Sequence, residues 1–322
     1  MLSTITTFTS YSPRRTLRSK LVEVKEVEVV EEVEEMFAGF SRTDTENDNI
    51  INEANEEEKK WWDELSYENI DKKRLPLRLT KNVKLEEYIE KSEIADAGKF
   101  WNFDAGNVTV VELPNPDHEV AHTQFTRQFL SAFSNVAIQD DVDNIAGTSC
   151  IDGASAKQPD AAFVPVRLPK PSPYPCDLQG NPWPTIVCEV ANTQSLSSIF
   201  QKVNEFWLRP NRAEDVIVLK LWPWNGLRNA GGNPLRRLTC YKFCCRLSRH
   251  LRSGYRPIRV IEFGTVDSQQ RPINNCSARG MCILRISPSC IYLRCPGTPP
   301  YPLTNDVSID LYNIQQAIFR KM

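Results

Sequence analysis

No stretch of the 322 residues approaches a membrane span in length, and the first twenty lack the apolar core of a secretory signal. The expectation is an intracellular protein of the nucleus or cytoplasm, with no membrane partner. Those twenty residues hold no acid but carry Arg14, Arg15, Arg18 and Lys20. They read as a basic disordered tail, with a mitochondrial presequence as the alternative. Without secretion, the ten cysteines are not expected to form disulfides. No CxxC pair occurs among them, so the late series Cys276, Cys282, Cys290, Cys295 gives a zinc site little support and reads as a Pro/Cys-rich, poorly packed tail. Histidine is scarce: only His118, His122 and His250. Residues 41–60 have almost no apolar side chains to bury and are expected to be disordered.

What is present suits a globular chain of one or two domains. The formal net charge of −2 hides a polarity. Residues 21–58 hold fourteen acids and two bases, and residues 205–322 hold seven acids and eighteen bases. Only the rear of the chain could face a polyanion. There Arg236, Arg237, Lys242, Arg246, Arg249, Arg252, Arg256 and Arg259 alternate with Tyr241, Phe243 and Tyr255. This fits a phosphate-tracking surface or, equally, a solvated sheet face.

In chain order, a marginal helix is expected over 21–37 and short amphipathic helices over 61–65 and 84–94. A strand follows at 107–113. Pro114-Asn115-Pro116-Asp117 then signals a helix over 118–133, with Asp117 as the expected N-cap. That helix opens His118-Glu119-Val120-Ala121-His122, a literal HExxH. Two histidines at i and i+4 share a face and could hold zinc, with the glutamate activating water. The longer metzincin continuation and a following glutamate are missing, a carboxylate third ligand would have to be Asp140 or Asp141, and the motif lies in the first helical turns, so a zinc protease is the lesser reading. Asp140, Asp141 and Asp143 lack EF-hand spacing and read as loop charge.

The centre of the chain carries the chemistry. Pro159-Asp160-Ala161-Ala162-Phe163 reads as a short strand, and Ile186 to Ala191 as a buried one. Strand alternation puts Val187, Glu189 and Ala191 on one face. A carboxylate among such neighbours needs a partner or a metal. Leu196, Ile199, Phe200, Val203, Phe206 and Trp207 then form a helical stripe with Lys202 beside it. Two carboxylates and a lysine brought together suit divalent-metal phosphodiester chemistry. Solvated strand ends and a snorkelling lysine would give the same residues a purely structural role.

These runs, Asp160 after its proline and Pro182-Trp183-Pro184-Thr185-Ile186-Val187-Cys188-Glu189-Val190-Ala191-Asn192, resemble the PD-(D/E)XK nuclease superfamily. More narrowly, they resemble the Uma-type restriction endonucleases, fungal members included. The resemblance covers roughly residues 106–222. It implies an α/β fold of restriction-endonuclease type, a mixed central sheet flanked by helices. It implies Asp160 and Glu189 as ligands of Mg²⁺ or Mn²⁺, Lys202 as catalytic lysine, His118 as an auxiliary, and nucleic acid, foremost DNA, as partner. A homodimer is compatible with it. Ala191 stands where many members carry the lysine, so Lys202 on the following helix takes that part. A non-catalytic nuclease-fold interaction module is the alternative. The expected organisation is a disordered region over 1–60, a helical lead-in over 61–105, the endonuclease-like domain over 106–265 and an extension over 266–322.

Overall fold

The structure, a computed structural model, describes residues 51–68, 70–134, 141–171, 174–248 and 256–322. The expected basic tail, the helix over 21–37 and the acidic residues 41–50 lie outside the described residues. Residues 51–60 differ from the expected disorder. Strand β1 (Asn52–Glu53) leads into helix α1 (Glu56–Asp63), which starts at a capping box between Asn55 and Glu58. Trp61 and Trp62 are buried, and the buried Glu58 pairs with Arg74 at 2.5 Å. Two tryptophans and one internal ion pair anchor a segment whose average composition is that of a disordered one.

The chain continues through β2 (Leu77–Thr80), α2 (Leu85–Ile94), β3 (Trp101–Asp104), β4 (Asn107–Val110) and α3 (Pro116–Ser131). Asn115, not Asp117, caps α3, because Pro116 takes the first helical position. After β5 (Val142–Asn144), strands β6 (Cys150–Asp152) and β7 (Ser155–Lys157) complete a first sheet of order β1-β2-β4-β3-β7-β6. Its core centres on Trp61, Tyr88 and Trp101. The expected boundary after residue 105 falls inside this sheet, since β3 pairs with β4 up to Asp104↔Asn107. The lead-in is therefore sheet as well as helix.

The second sheet is built from β8 (Ala161–Pro165), β9 (Ile186–Ala191), helix α4 (Leu196–Lys202), β10 (Asp215–Leu221), β11 (Leu238–Cys244), the short helix α5 (Cys245–Ser248) and β12 (Arg259–Glu262). Its order is β12-β11-β10-β9-β8-β5. β9 runs antiparallel to β8 and parallel to β10, the parallel step crossing through α4. The α/β class, with mixed sheets flanked by helices, is as expected. β9 and β10 are buried at every position, because both sheet faces are covered. Ile186, Cys188 and Val190 pack with Phe125 and Phe129 of α3. Val187 and Ala191 pack with Ile199, Val203 and Phe206.

The expected poorly packed tail is part of the core. Strand β13 (Ile283–Ile286), helix α6 (Pro288–Ile291), strand β14 (Val307–Asp310) and helix α7 (Leu311–Phe319) follow. Leu284, Ile286, Ile309, Leu311, Ile314 and Ile318 join the α3 cluster at strand and helix spacing. Cys276, Cys282, Cys290 and Cys295 are buried. Among the described residues, no helix is long and apolar enough to cross a membrane.

Candidate active site

Asp160 and Glu189 meet because of β-ladder register. Ala161 of β8 pairs with Cys188 of β9, so one step further places Asp160 across from Glu189. Asp160 Oδ2 accepts a hydrogen bond from the Val190 amide at 2.6 Å, which ties it to β9. Its Oδ1 stands 3.2 Å from His118 Nε2, an ion-pair contact without good hydrogen-bond alignment. His118 lies in the first turn of α3, so the Asn115 cap and Pro116 set where the imidazole points.

Glu189 is held from the other side. Lys202 Nζ donates to Glu189 at 2.9 Å, and Trp207 Nε1 donates to Glu189 Oε1 at 2.6 Å. Residues five apart in a regular α-helix point in different directions. Here the helix changes period after Lys202: residues Val203–Trp207 form a π turn, closed by the Leu208 amide on the Val203 carbonyl at 2.9 Å. That i→i+5 turn brings Trp207 back to the Lys202 face, so both reach one carboxylate.

Asp160, Glu189, Lys202 and His118 are all buried, and their charges set one another's protonation. Burial would raise the Asp160 carboxyl, but His118 and Lys202 more than offset it and hold the group below its usual range. Burial pushes Glu189 up to about 7, Asp160 adds to that, and Lys202 opposes both. Burial would lower the His118 imidazole, but Asp160 and Glu119 raise it to about 10. His118 is therefore a cation at neutral pH. Its stabilising contribution is full below 6.5 and is lost as pH rises toward about 10. The raised Glu189 pKa acts with the same sign between 4.5 and about 7. Urea unfolding should thus show stability falling by at least about 1 kcal/mol across the His118 window, and His118→Asn should flatten that slope. An unchanged slope would refute the pairing.

Glu112 is a neighbour that sequence reading misses. It is buried and accepts from the amides of Asn192, Thr193 and Gln194 at 2.7, 2.9 and 3.1 Å, and from the Thr193 hydroxyl. It fixes the loop that leads to Ser195, whose side chain caps α4 and so sets the helix carrying Lys202. A cavity of about 680 Å³ opens beside the buried set, lined by Lys157, Lys202, Ser197, Ser198, Asp104 and Arg209 among others. Lys202 belongs to both. Lys157 pairs with Asp104 at 3.0 Å, and burial lowers its ammonium below the usual range.

The HExxH run is arranged for mutual pairing. Glu119 lies 3.2 Å from His118 Nδ1 and 3.0 Å from His122 Nε2, and Lys99 Nζ binds both of its oxygens at 3.0 and 2.8 Å. The ligand atoms of the three lie within 4.8 Å of one another. Glu119 is thus occupied, where a metalloprotease base must be free to take a proton from water, and His118 also faces Asp160. His250 lies outside the described residues. Asp141, expected as loop charge, is buried against Tyr292 and Arg167.

Of the eight basic residues of the rear, read as a phosphate-tracking surface or a solvated sheet face, four pair with acids in the fold. Arg236 is buried on Asp117 at 2.6 Å, Arg237 pairs with Glu262 at 2.7 Å, Lys242 with Asp215 at 2.9 Å and Arg246 with Glu214 at 2.6 Å. Tyr241 and Phe243 are core residues. Arg249, Arg252 and Tyr255 lie outside the described residues. These four cations serve acids far away in sequence. Arg236→Ala should accordingly cost about 3 kcal/mol of stability, since it strands Asp117 and frees the Asn192 side chain and the Trp222 carbonyl that Arg236 also binds. Chemical denaturation checks this. A loss under about 0.5 kcal/mol would return Arg236 to the surface role.

No family model matches the chain, and no curated protein matches it. Among solved structures, the chain is similar to a protein from Anabaena variabilis described as a "putative nuclease belonging to DUF820". The two share 10% identity at a TM-score of 0.37, over 68% of this chain and 90% of that one.

Proposed function

We propose that the chain is a metal-dependent nuclease that hydrolyses phosphodiester bonds of nucleic acid, with DNA as the expected substrate. The observation that carries this reading is the convergence of Asp160, Glu189, Lys202 and His118 at one end of the central sheet, beside a cavity that Lys202 lines. Asp160 and Glu189 offer the oxygen donors that Mg²⁺ or Mn²⁺ requires. The fit has a local sign: Asp160 Oδ1 is buried without an aligned hydrogen-bond partner. An ion held by these two carboxylates would supply a Lewis acid for the phosphoryl group and a more acidic water.

The protein's own groups divide the remaining work. Lys202 exchanges Glu189 for a phosphate oxygen and so brings positive charge to the reacting group from the cavity side. His118 keeps Asp160 ionised at any pH near neutral. Trp207 holds Glu189 Oε1 while Lys202 leaves Glu189 Oε2 for substrate. The test is nicking of supercoiled plasmid by the purified chain with Mg²⁺ or Mn²⁺, chelator as control and single-stranded RNA in a parallel reaction. Ion-dependent nicking supports the reading. Binding without cleavage under every divalent ion tried would point to the non-catalytic interaction module.

A further inference from the structure

A second cluster lies where β10 and β11 meet helix α6. The geometry points to a zinc site formed by Cys244, Cys290 and Glu214. Cys244 ends β11, Cys290 lies in α6, and Glu214 immediately precedes β10. All three are buried, and their ligand atoms lie within 4.8 Å of one another. The Cys244 thiol already points at Glu214 Oε1 at 3.7 Å. Tetrahedral zinc with two thiolates and a carboxylate needs ligand separations of about 3.5–3.8 Å, so the site closes by a small inward shift. Two sulfurs and one oxygen favour zinc over magnesium, which takes oxygen ligands in octahedral geometry. A water on the Arg246 side can complete the set, since that side chain is 42% exposed.

The charge balance supports this assignment. Glu214 and Asp215 are compensated by Arg246 and Lys242, at 2.6 and 2.9 Å. With both thiols protonated the buried cluster is neutral. Zinc would displace one proton from each thiol to solvent, forming two Zn–S bonds, and one divalent cation for two protons leaves the cluster neutral still. Arg246 donates to Cys290 Sγ at 3.1 Å, so that sulfur already faces positive charge. The bound ion would tie the C-terminal segment to the central sheet.

The experiment uses the full chain titrated with Co²⁺ as a spectroscopic stand-in, followed by displacement with Zn²⁺. The expected result is a near-ultraviolet thiolate-to-cobalt band that saturates at about one ion per chain and disappears on zinc addition. Cys244→Ser and Cys290→Ser should each reduce it at least about tenfold, while Cys282→Ser and Asp160→Ala retain it, which separates this site from the proposed nuclease site. If a cysteine variant fails to fold, Arg246→Ala still reports: removal of the competing cation should tighten cobalt binding about tenfold. No band in the wild-type chain, a band that survives in both folded serine variants, or weaker binding by Arg246→Ala would overturn the assignment.

Discussion

Asp160→Asn and Glu189→Gln should each lower ion-dependent plasmid nicking by about three orders of magnitude or more, because under the nuclease proposal each removes charge on which several kcal/mol of transition-state stabilisation would depend. The amides keep the shape of the carboxylates, so the fold should survive. Asp160→Asn carries an independent readout. His118 is held at about 10 against burial chiefly by the Asp160 charge. Without that charge, burial dominates and the imidazole should titrate well below its present value, readable by NMR of the ring protons. Loss of nicking together with the fall of the His118 pKa places Asp160 at the reacting centre and beside His118. Nicking within about tenfold of wild type in both variants would end the nuclease proposal. An unchanged His118 titration would remove the pairing on which its auxiliary role rests.

The central part of this site is legible in the sequence because it depends on short-range periodicity. Alternation along Ile186–Ala191 is enough to put Glu189 on the face of Val187 and Ala191, and helical spacing places Lys202 near that face. What escaped depends on contacts with no local signature. Glu112 is recognised only through groups of Asn192, Thr193 and Gln194, eighty and more residues later. Arg236 has the local sequence of a surface cation, and only the fold sets it beside Asp117, 119 residues earlier. The π turn after Lys202 is masked by an apolar stripe that reads as regular helix, yet it decides that Trp207 reaches Glu189. Composition misled at both ends of the described chain. Residues 51–60 are acidic on average but anchored by two tryptophans, and residues 266–322 look Pro/Cys-rich while their alternating isoleucines and leucines fill the core.

Lys202→Met tests the electrostatics of the site as well as its chemistry. The substitution keeps most of the apolar stem and removes the charge that faces Glu189 at 2.9 Å. Nicking should fall by a factor of about 10² to 10³, the usual cost of losing one preorganised positive group at a reacting centre. Stability should also fall, in a way that depends on pH. Breaking a buried pair costs about 3–5 kcal/mol when the remaining charge has no escape. Glu189 has one, since burial has already pushed its carboxyl to about 7, and without Lys202 that value rises further. An acid whose folded pKa is raised above its unfolded value loses its stabilising contribution as pH rises through the folded pKa. The wild-type window closes near 7, whereas that of the variant extends to higher pH. Urea unfolding at about pH 6 should therefore show a small difference from wild type, and at about pH 8.5 a large one. Adding Glu189→Gln to Lys202→Met should restore stability at the higher pH and leave cleavage lost, because the double variant leaves no charge of this pair stranded and removes one of the two carboxylate ligands. A stability loss independent of pH, or a double variant no more stable than Lys202→Met, would show that Lys202 packs against Glu189 without neutralising it.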